Sequence, residues 1–162
     1  TLGALNGCLG GSEYLRTIHG KIQGPIPHLN LELEMGIQEL CLDAIKKGII
    51  KSAHDLSDGG LAVNLSESLI QSKAGLGAKL DVVRKLHDSE LLFGECQSVI
   101  IVTLEESALY ELILLAQNLD MHTQTIGRVN ESNSLVINDQ IDISRTKLEN
   151  AYFNSLEKIM TQ

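Results

Sequence analysis

The chain has 162 residues and a mass of 17.7 kDa, enough for one domain with a core of its own. Hydrophobic residues make up 43% and charged residues 21%, the balance of a folded globular protein and not of a disordered one. Lys and Arg number 13 against 21 Asp and Glu, a formal charge of −8 that argues against a nucleic-acid binder or a polybasic membrane-surface module, and no apolar run approaches the roughly 20 residues of a membrane span.

The opening, Thr1-Leu2-Gly3, has no Met and no basic stretch leading into a long apolar one. The sequence therefore reads as a fragment of a longer chain without a signal peptide, with a cytoplasmic address as the default. Residues 1–30 are Gly-rich and end in Gly24-Pro25-Ile26-Pro27, which predicts a leading segment of loop and turns packed on the domain formed by residues 31–162. Leu33, Ile37, Leu40, Ala44 and Ile45 predict one face of a helix over 31–47, closed by Lys46, Lys47 and Gly48. Residues 49–53 predict a short buried strand. The polar loop 54–60 follows, then a helix over 61–72 carrying Leu61, Ala62, Leu65 and Leu69 inward.

A turn at 73–77 leads to a strand over 78–83, with Ala78, Leu80 and Val82 on one face, and to a short helix over 84–93. Residues 98–104, Ser-Val-Ile-Ile-Val-Thr-Leu, lack alternation, which predicts a strand covered on both faces. Residues 105–119 predict a helix with Leu109, Leu112, Ile113 and Ala116 as its core stripe. Strands at 123–129 and 135–138, separated by a turn cluster at 130–134, read as a hairpin. A closing helix over 145–160 would bury Leu148, Tyr152, Leu156 and Ile159. Together these elements predict an α+β fold, a mixed and largely antiparallel sheet covered by helices. Cys8, Cys41 and Cys96 are too few and too scattered for a disulfide framework or a zinc site, so they are expected to be reduced, with two of them buried. Aromatic residues are only 3% and Trp is absent, which leaves no stacking platform for bases.

The loop 54–60, His-Asp-Leu-Ser-Asp-Gly-Gly, is the one segment with a chemical argument. It joins a strand to a helix, whose first N–H groups and positive dipole end attract anions. Gly59 and Gly60 would leave that backbone approachable. Asp55 and Asp58 repel a bare phosphate but suit a Mg²⁺ ion held between carboxylate and phosphate, and Ser57 could donate to a phosphate oxygen. The plainer alternative stays open: Asp and Ser are ordinary helix caps, Gly-Gly is an ordinary turn, and His54 is an ordinary hydrogen-bonded histidine.

Residues 52–63 read Ser-Ala-His-Asp-Leu-Ser-Asp-Gly-Gly-Leu-Ala-Val, with Leu65 and Glu67 beyond them. This run resembles the signature of the phosphoribosylformylglycinamidine synthase family of purine biosynthesis. Leu9-Gly10-Gly11-Ser12-Glu13-Tyr14-Leu15 is similar to the start of that family's last synthetase-type domain. Leu92-Phe93-Gly94-Glu95-Cys96-Gln97-Ser98 is similar to the loop before its central strand, and Ile126-Gly127-Arg128-Val129 is a weaker fourth match. Aminoimidazole ribonucleotide synthetase, selenophosphate synthetase and thiamine-monophosphate kinase share the architecture and have similar loops.

The resemblance implies the second C-terminal domain of the small, multi-subunit form of the enzyme, with a fold like the C-terminal domain of aminoimidazole ribonucleotide synthetase. It implies a ligase that uses ATP and glutamine to convert formylglycinamide ribonucleotide to the amidine. It implies Mg²⁺ and ATP or ADP as cofactors of the full enzyme, and as partners the ATP-binding domains of the same chain, a glutaminase subunit and a small bridging subunit. Carried over residue by residue, Asp55 would bind Mg²⁺, Ser57, Asp58, Gly59 and Gly60 would bind an auxiliary nucleotide, and Glu95 and Gln97 would lie on the substrate side. No catalytic residue is expected in this chain, and Cys96 needs no catalytic role. Two alternatives remain at this point: a non-catalytic scaffold holding a structural nucleotide, and a domain of a selenophosphate synthetase or a kinase of the same superfamily.

Overall fold

The computed structural model describes residues 1–72, 75–83 and 86–160, the side chains of 156–158 excepted. In chain order the elements are α1 (Glu13–His19), α2 (Leu31–Lys46), β1 (Ile50–Asp55), α3 (Gly60–Gln71), β2 (Gly77–Leu80), α4 (Asp88–Phe93), β3 (Ile100–Leu104), α5 (Leu109–Asn118), β4 (Gly127–Asn130), β5 (Ser134–Ile137), β6 (Ile141–Ser144), α6 (Arg145–Phe153) and α7 (Ser155–Met160), with a 3-10 turn, Glu106–Ala108, before α5. This is the expected mixed α+β arrangement. The backbone divides into two compact units, Thr1–Asn64 with Arg84–Thr125, and Leu65–Val83 with Ile126–Gln162. Part of the expected 73–77 turn (73–74), the first two residues of the expected 84–93 helix and the side chain of Leu156 lie outside the described residues.

In the first unit, α2 starts because the Asn30 side chain accepts the Leu33 N–H at 3.1 Å, and Glu32 and Glu34 complement the dipole in its first turn. Its buried stripe is Ile37, Leu40, Cys41 and Ala44, packed with Leu2, Ile49, Ile50, Leu112 and Ala116. Leu33 and Ile45, expected on that stripe, are exposed. They flank the inward arc, and Cys41, between them in sequence, completes it. Strands β1 and β3 pair antiparallel, with His54 opposite Ile101 and Asp55 opposite Ile100. β3 is covered on both faces: Ile100, Val102 and Leu104 pack on the core, and Ile101, projecting oppositely, is buried. The expected burial of 49–53 holds only for Ile49 and Ile50, because 51–53 lie in the outer strand of a two-stranded ladder and are exposed.

The leading segment is more than loop. Leu2 is fully buried and exchanges backbone hydrogen bonds with Ile100, at 2.8 and 3.0 Å. The buried Ser12 caps α1 by accepting the Leu15 N–H at 3.3 Å, and Gly20 closes that helix in the left-handed region. α1 buries no residue, so no apolar period announced it. Cys41 and Cys96 are buried and Cys8 half-buried, all as free thiols.

In the second unit the sheet order is β4-β2-β5-β6. The expected hairpin between 123–129 and 135–138 is corrected: β2 lies between β4 and β5, antiparallel to the first and parallel to the second. Ala78 stands beside Leu135 and Leu80 beside Ile137, so insertion of β2 lines up buried apolar side chains on one face. The hairpin that does form joins β5 to β6, a strand the sequence reading missed. The closing helix is also corrected. It breaks at Asn154 into α6 and α7, with Leu148 half-buried and Tyr152 and Ile159 exposed.

Candidate functional site

The site is built at the C-terminal end of β1, entirely within the first unit. Leu56 is buried and its N–H donates to Val99 O at 2.9 Å, which fixes the chain as it leaves the ladder. The turn that follows needs its glycines. Gly59 and Gly60 both have left-handed φ, +81° and +67°, and a Cβ on Gly60 would stand 2.7 Å from the Phe93 carbonyl carbon and 2.8 Å from Gly94 O. The loop is thus pressed on the corner where α4 ends.

From that corner Glu95 reaches back. Its Oε1 accepts the Gly59 N–H at 2.9 Å and the Glu13 N–H, at the first residue of α1, at 2.8 Å. The Gly60 N–H donates to Ser57 O at 3.1 Å. The Gly59 and Gly60 amides, at a helix start expected to present free N–H groups, are therefore engaged within the protein, and the Glu95 carboxylate occupies the place of an anion at Gly59. Glu95 and Gly59 are brought together; Gln97, two residues on, is exposed.

Asp55, Ser57 and Asp58 are exposed. Among the described residues the Asp55 carboxylate makes no hydrogen bond or ion pair. Asn64, on α3, holds the backbone beneath it: its Nδ2 donates to Asp55 O at 2.6 Å and lies 2.7 Å from His54 Nδ1. Next to Gln97, Ser98 adopts a left-handed φ of 57° and its Oγ donates to Glu34 Oε2 at 2.6 Å. The Ser98 hydroxyl and then the Gln38 amide hold the Glu34 carboxyl below its ordinary range. Burial pushes the Cys41 thiol up, away from a nucleophilic role. Asn64, Ser98 and Glu34 escaped the sequence reading because their partners are backbone atoms or lie far away in the chain.

Among the described residues no group of three or more His, Cys, Asp or Glu side chains could hold a metal ion. The exposed Asp55 carboxylate is a single hard oxygen ligand, and Mg²⁺ commonly takes one or two such carboxylates and completes its shell with phosphate oxygens and water.

Residues 3–140 match the family described as AIR synthase related protein, C-terminal domain. The chain belongs to this family. Curated relatives of this AIR synthase-related domain include phosphoribosylformylglycinamidine synthase subunit PurL of Alkaliphilus metalliredigens, 45% identical over 104 residues, covering 64% of this chain and 14% of the relative. The same subunit of Bartonella bacilliformis is 37% identical over 152 residues, covering 94% of this chain and 20% of the relative. The domain thus spans a fifth or less of the length of these relatives. In three dimensions it is similar to phosphoribosylformylglycinamidine synthase II of Thermotoga maritima, with a TM-score of 0.67 at 18% identity, covering 88% of this chain and 24% of that one. The T. maritima PurL complexed with ATP gives 0.66 at 18% identity, covering 91% and 24%. These likenesses show that the AIR synthase-related fold is shared.

Proposed function

We propose that the chain is the second C-terminal domain of the synthetase subunit of a small-form phosphoribosylformylglycinamidine synthase, a ligase of purine biosynthesis. In this reading residues 31–162 are that domain and residues 1–30 lead into it. The longer enzyme converts formylglycinamide ribonucleotide, glutamine and ATP to formylglycinamidine ribonucleotide in the cytoplasm, and the reacting groups come from outside this chain. The observation that carries the reading is the 37% identity over 152 residues to a relative of that name.

The proposed partners are the ATP-binding domains of the same polypeptide, a glutaminase subunit and a small bridging subunit. A T. maritima PurLQS structure of similar fold supports assembly with other subunits. Exposed Ile22, Ile26, Leu31 and Met35 support a covering domain on the first unit. No described helix is long and apolar enough to cross a membrane. At the loop, Asp55 would hold Mg²⁺, Ser57 and Asp58 would face the nucleotide, Gly59 and Gly60 would shape the turn, and Glu95 and Gln97 would lie toward substrate. The neighbouring T. maritima structures with ATP and with ADP support a nucleotide in the longer enzyme.

Reconstitution tests the reading. The longer polypeptide, given ATP, ammonia and formylglycinamide ribonucleotide, should form the amidine, and the 162-residue chain alone should not. Product from this chain alone, or none from the longer polypeptide, overturns it.

A further inference from the structure

The best-defined polar contact outside the loop lies at Asn64, which nothing in the motif assigns. Asn64 is 2% exposed, on α3, directly beneath the end of β1. Its Nδ2 is 2.6 Å from Asp55 O, 2.7 Å from His54 Nδ1 and 3.4 Å from His54 O, whereas its Oδ1 has no partner. This fixes the amide orientation: turned over, Oδ1 would face two carbonyl oxygens at those distances. His54 Nδ1 also stands 2.9 Å from Asp55 O, so amide, ring and carbonyl close a triangle. If the NH₂ serves both atoms, Nδ1 accepts and the ring proton sits on Nε2; if Nδ1 itself donates to Asp55 O, the proton sits on Nδ1.

We infer that Asn64 is the positioning residue for Asp55: its NH₂ ties the Asp55 carbonyl to the His54 ring and so sets the direction in which the Asp55 carboxylate leaves the backbone. The inference rests on the proposed role of Asp55 toward Mg²⁺. An amide oxygen buried without a partner contributes nothing to the fold, so the asymmetry of this side chain marks the two donor hydrogens as its working part. Outer-shell groups of this kind change metal affinity without touching the metal.

Asn64→Leu is the decisive variant, because it keeps the shape, removes both donors and removes the orphaned oxygen. Imidazole ¹⁵N NMR of the chain should show His54 protonated on Nε2 in the wild type, with that preference lost in Asn64→Leu. Thermal unfolding should fall only modestly, since the Asp55 carbonyl loses a donor while the fold loses an orphaned buried oxygen. In the longer polypeptide, calorimetric titration with Mg·ADP should show roughly tenfold weaker binding for Asn64→Leu and a loss at least as large for Asp55→Asn. Should Asn64→Leu be unable to fold, the wild-type tautomer and Asn64→Ser, which keeps a shorter donor and should bind between the two, carry the test. A wild-type His54 protonated on Nδ1, or wild-type affinity in Asn64→Leu beside weakened Asp55→Asn, overturns the inference alone. Wild-type affinity in Asp55→Asn overturns the Mg²⁺ reading and the inference with it, even where the tautomer is as expected.

Discussion

Replacing Glu95 should loosen the loop and the start of α1 together, because one carboxylate oxygen holds both. Oε1 receives the Gly59 N–H at 2.9 Å and the Glu13 N–H at 2.8 Å. A hydrogen bond to a charged group stabilises by about 1.5–3 kcal/mol net. Glu95 is half-buried, so water recovers part of each bond in a truncated variant, and we expect Glu95→Ala to cost about 2–3 kcal/mol in total. That corresponds to roughly 5–10 °C in melting temperature for a chain of this size. Hydrogen exchange reads the effect where it arises: the Gly59 and Glu13 amides should lose about 30-fold in protection, the factor that belongs to about 2 kcal/mol. Glu95→Gln keeps a carbonyl acceptor in the same place and should lose half as much or less. Both amides exchanging at wild-type rates in Glu95→Ala would refute the reasoning, and so would a Gln variant as damaged as the Ala one.

Gly60→Ala should be worse than any surface change in the loop, because its Cβ meets the Phe93 and Gly94 backbone below 3 Å and its φ is +67°. Left-handed strain of about 1–2 kcal/mol and overpacking of about 1–3 kcal/mol add, so a melting temperature within a degree or two of wild type would contradict the packing described. Ser98→Ala should destabilise in a pH-dependent way. Glu34 has a depressed pKa in the folded state, so its contribution is full above the unfolded-state value and is lost as pH falls through the folded-state one. The melting-temperature gap between wild type and Ser98→Ala should therefore be widest near neutrality and shrink in acid; a gap that stays flat from roughly pH 7 to roughly pH 3 removes Glu34 from the account.

What the sequence made legible follows the range of the interactions concerned. α3 could be read because Leu61, Leu65 and Leu69 repeat at the helical period and a Gly-Gly turn precedes them. The loop could be read as a segment for the same local reason. α1 was missed because it buries nothing, although Ser12 and Gly20, its caps, stood in the sequence. The second sheet was misjudged because a turn cluster at 130–134 marks a reversal of the chain and not the partner it returns to. β2, more than fifty residues upstream of β5 in the chain, takes the place a hairpin partner would have had. Parallel pairing of this kind leaves no turn signal to read. Glu95 could be named as a residue of interest, but its partners at positions 13 and 59 are fixed only by the fold.

The same contacts narrow what the loop can do. The Asp55 carbonyl is held by Asn64, the Gly59 N–H by Glu95 and the Gly60 N–H by Ser57 O. Beside those engaged backbone groups, the loop offers a ligand the Asp55 and Asp58 carboxylates and the Ser57 hydroxyl, all on exposed residues. Two carboxylates on a chain of net charge −8 repel a bare anion, and there is no cradle of free glycine amides to offset the repulsion. A hydrated divalent cation reverses the sign: it finds oxygen ligands on this side and can carry phosphate on the other. In the proposed reading, then, the loop meets a phosphate only when the phosphate arrives with its metal. That reading predicts that ADP without Mg²⁺ binds the longer polypeptide no better in the wild type than in Asp55→Asn, while Mg·ADP separates the two. Metal-free ADP binding that is strong in the wild type and weakened by Asp55→Asn would show that the loop reaches the nucleotide some other way.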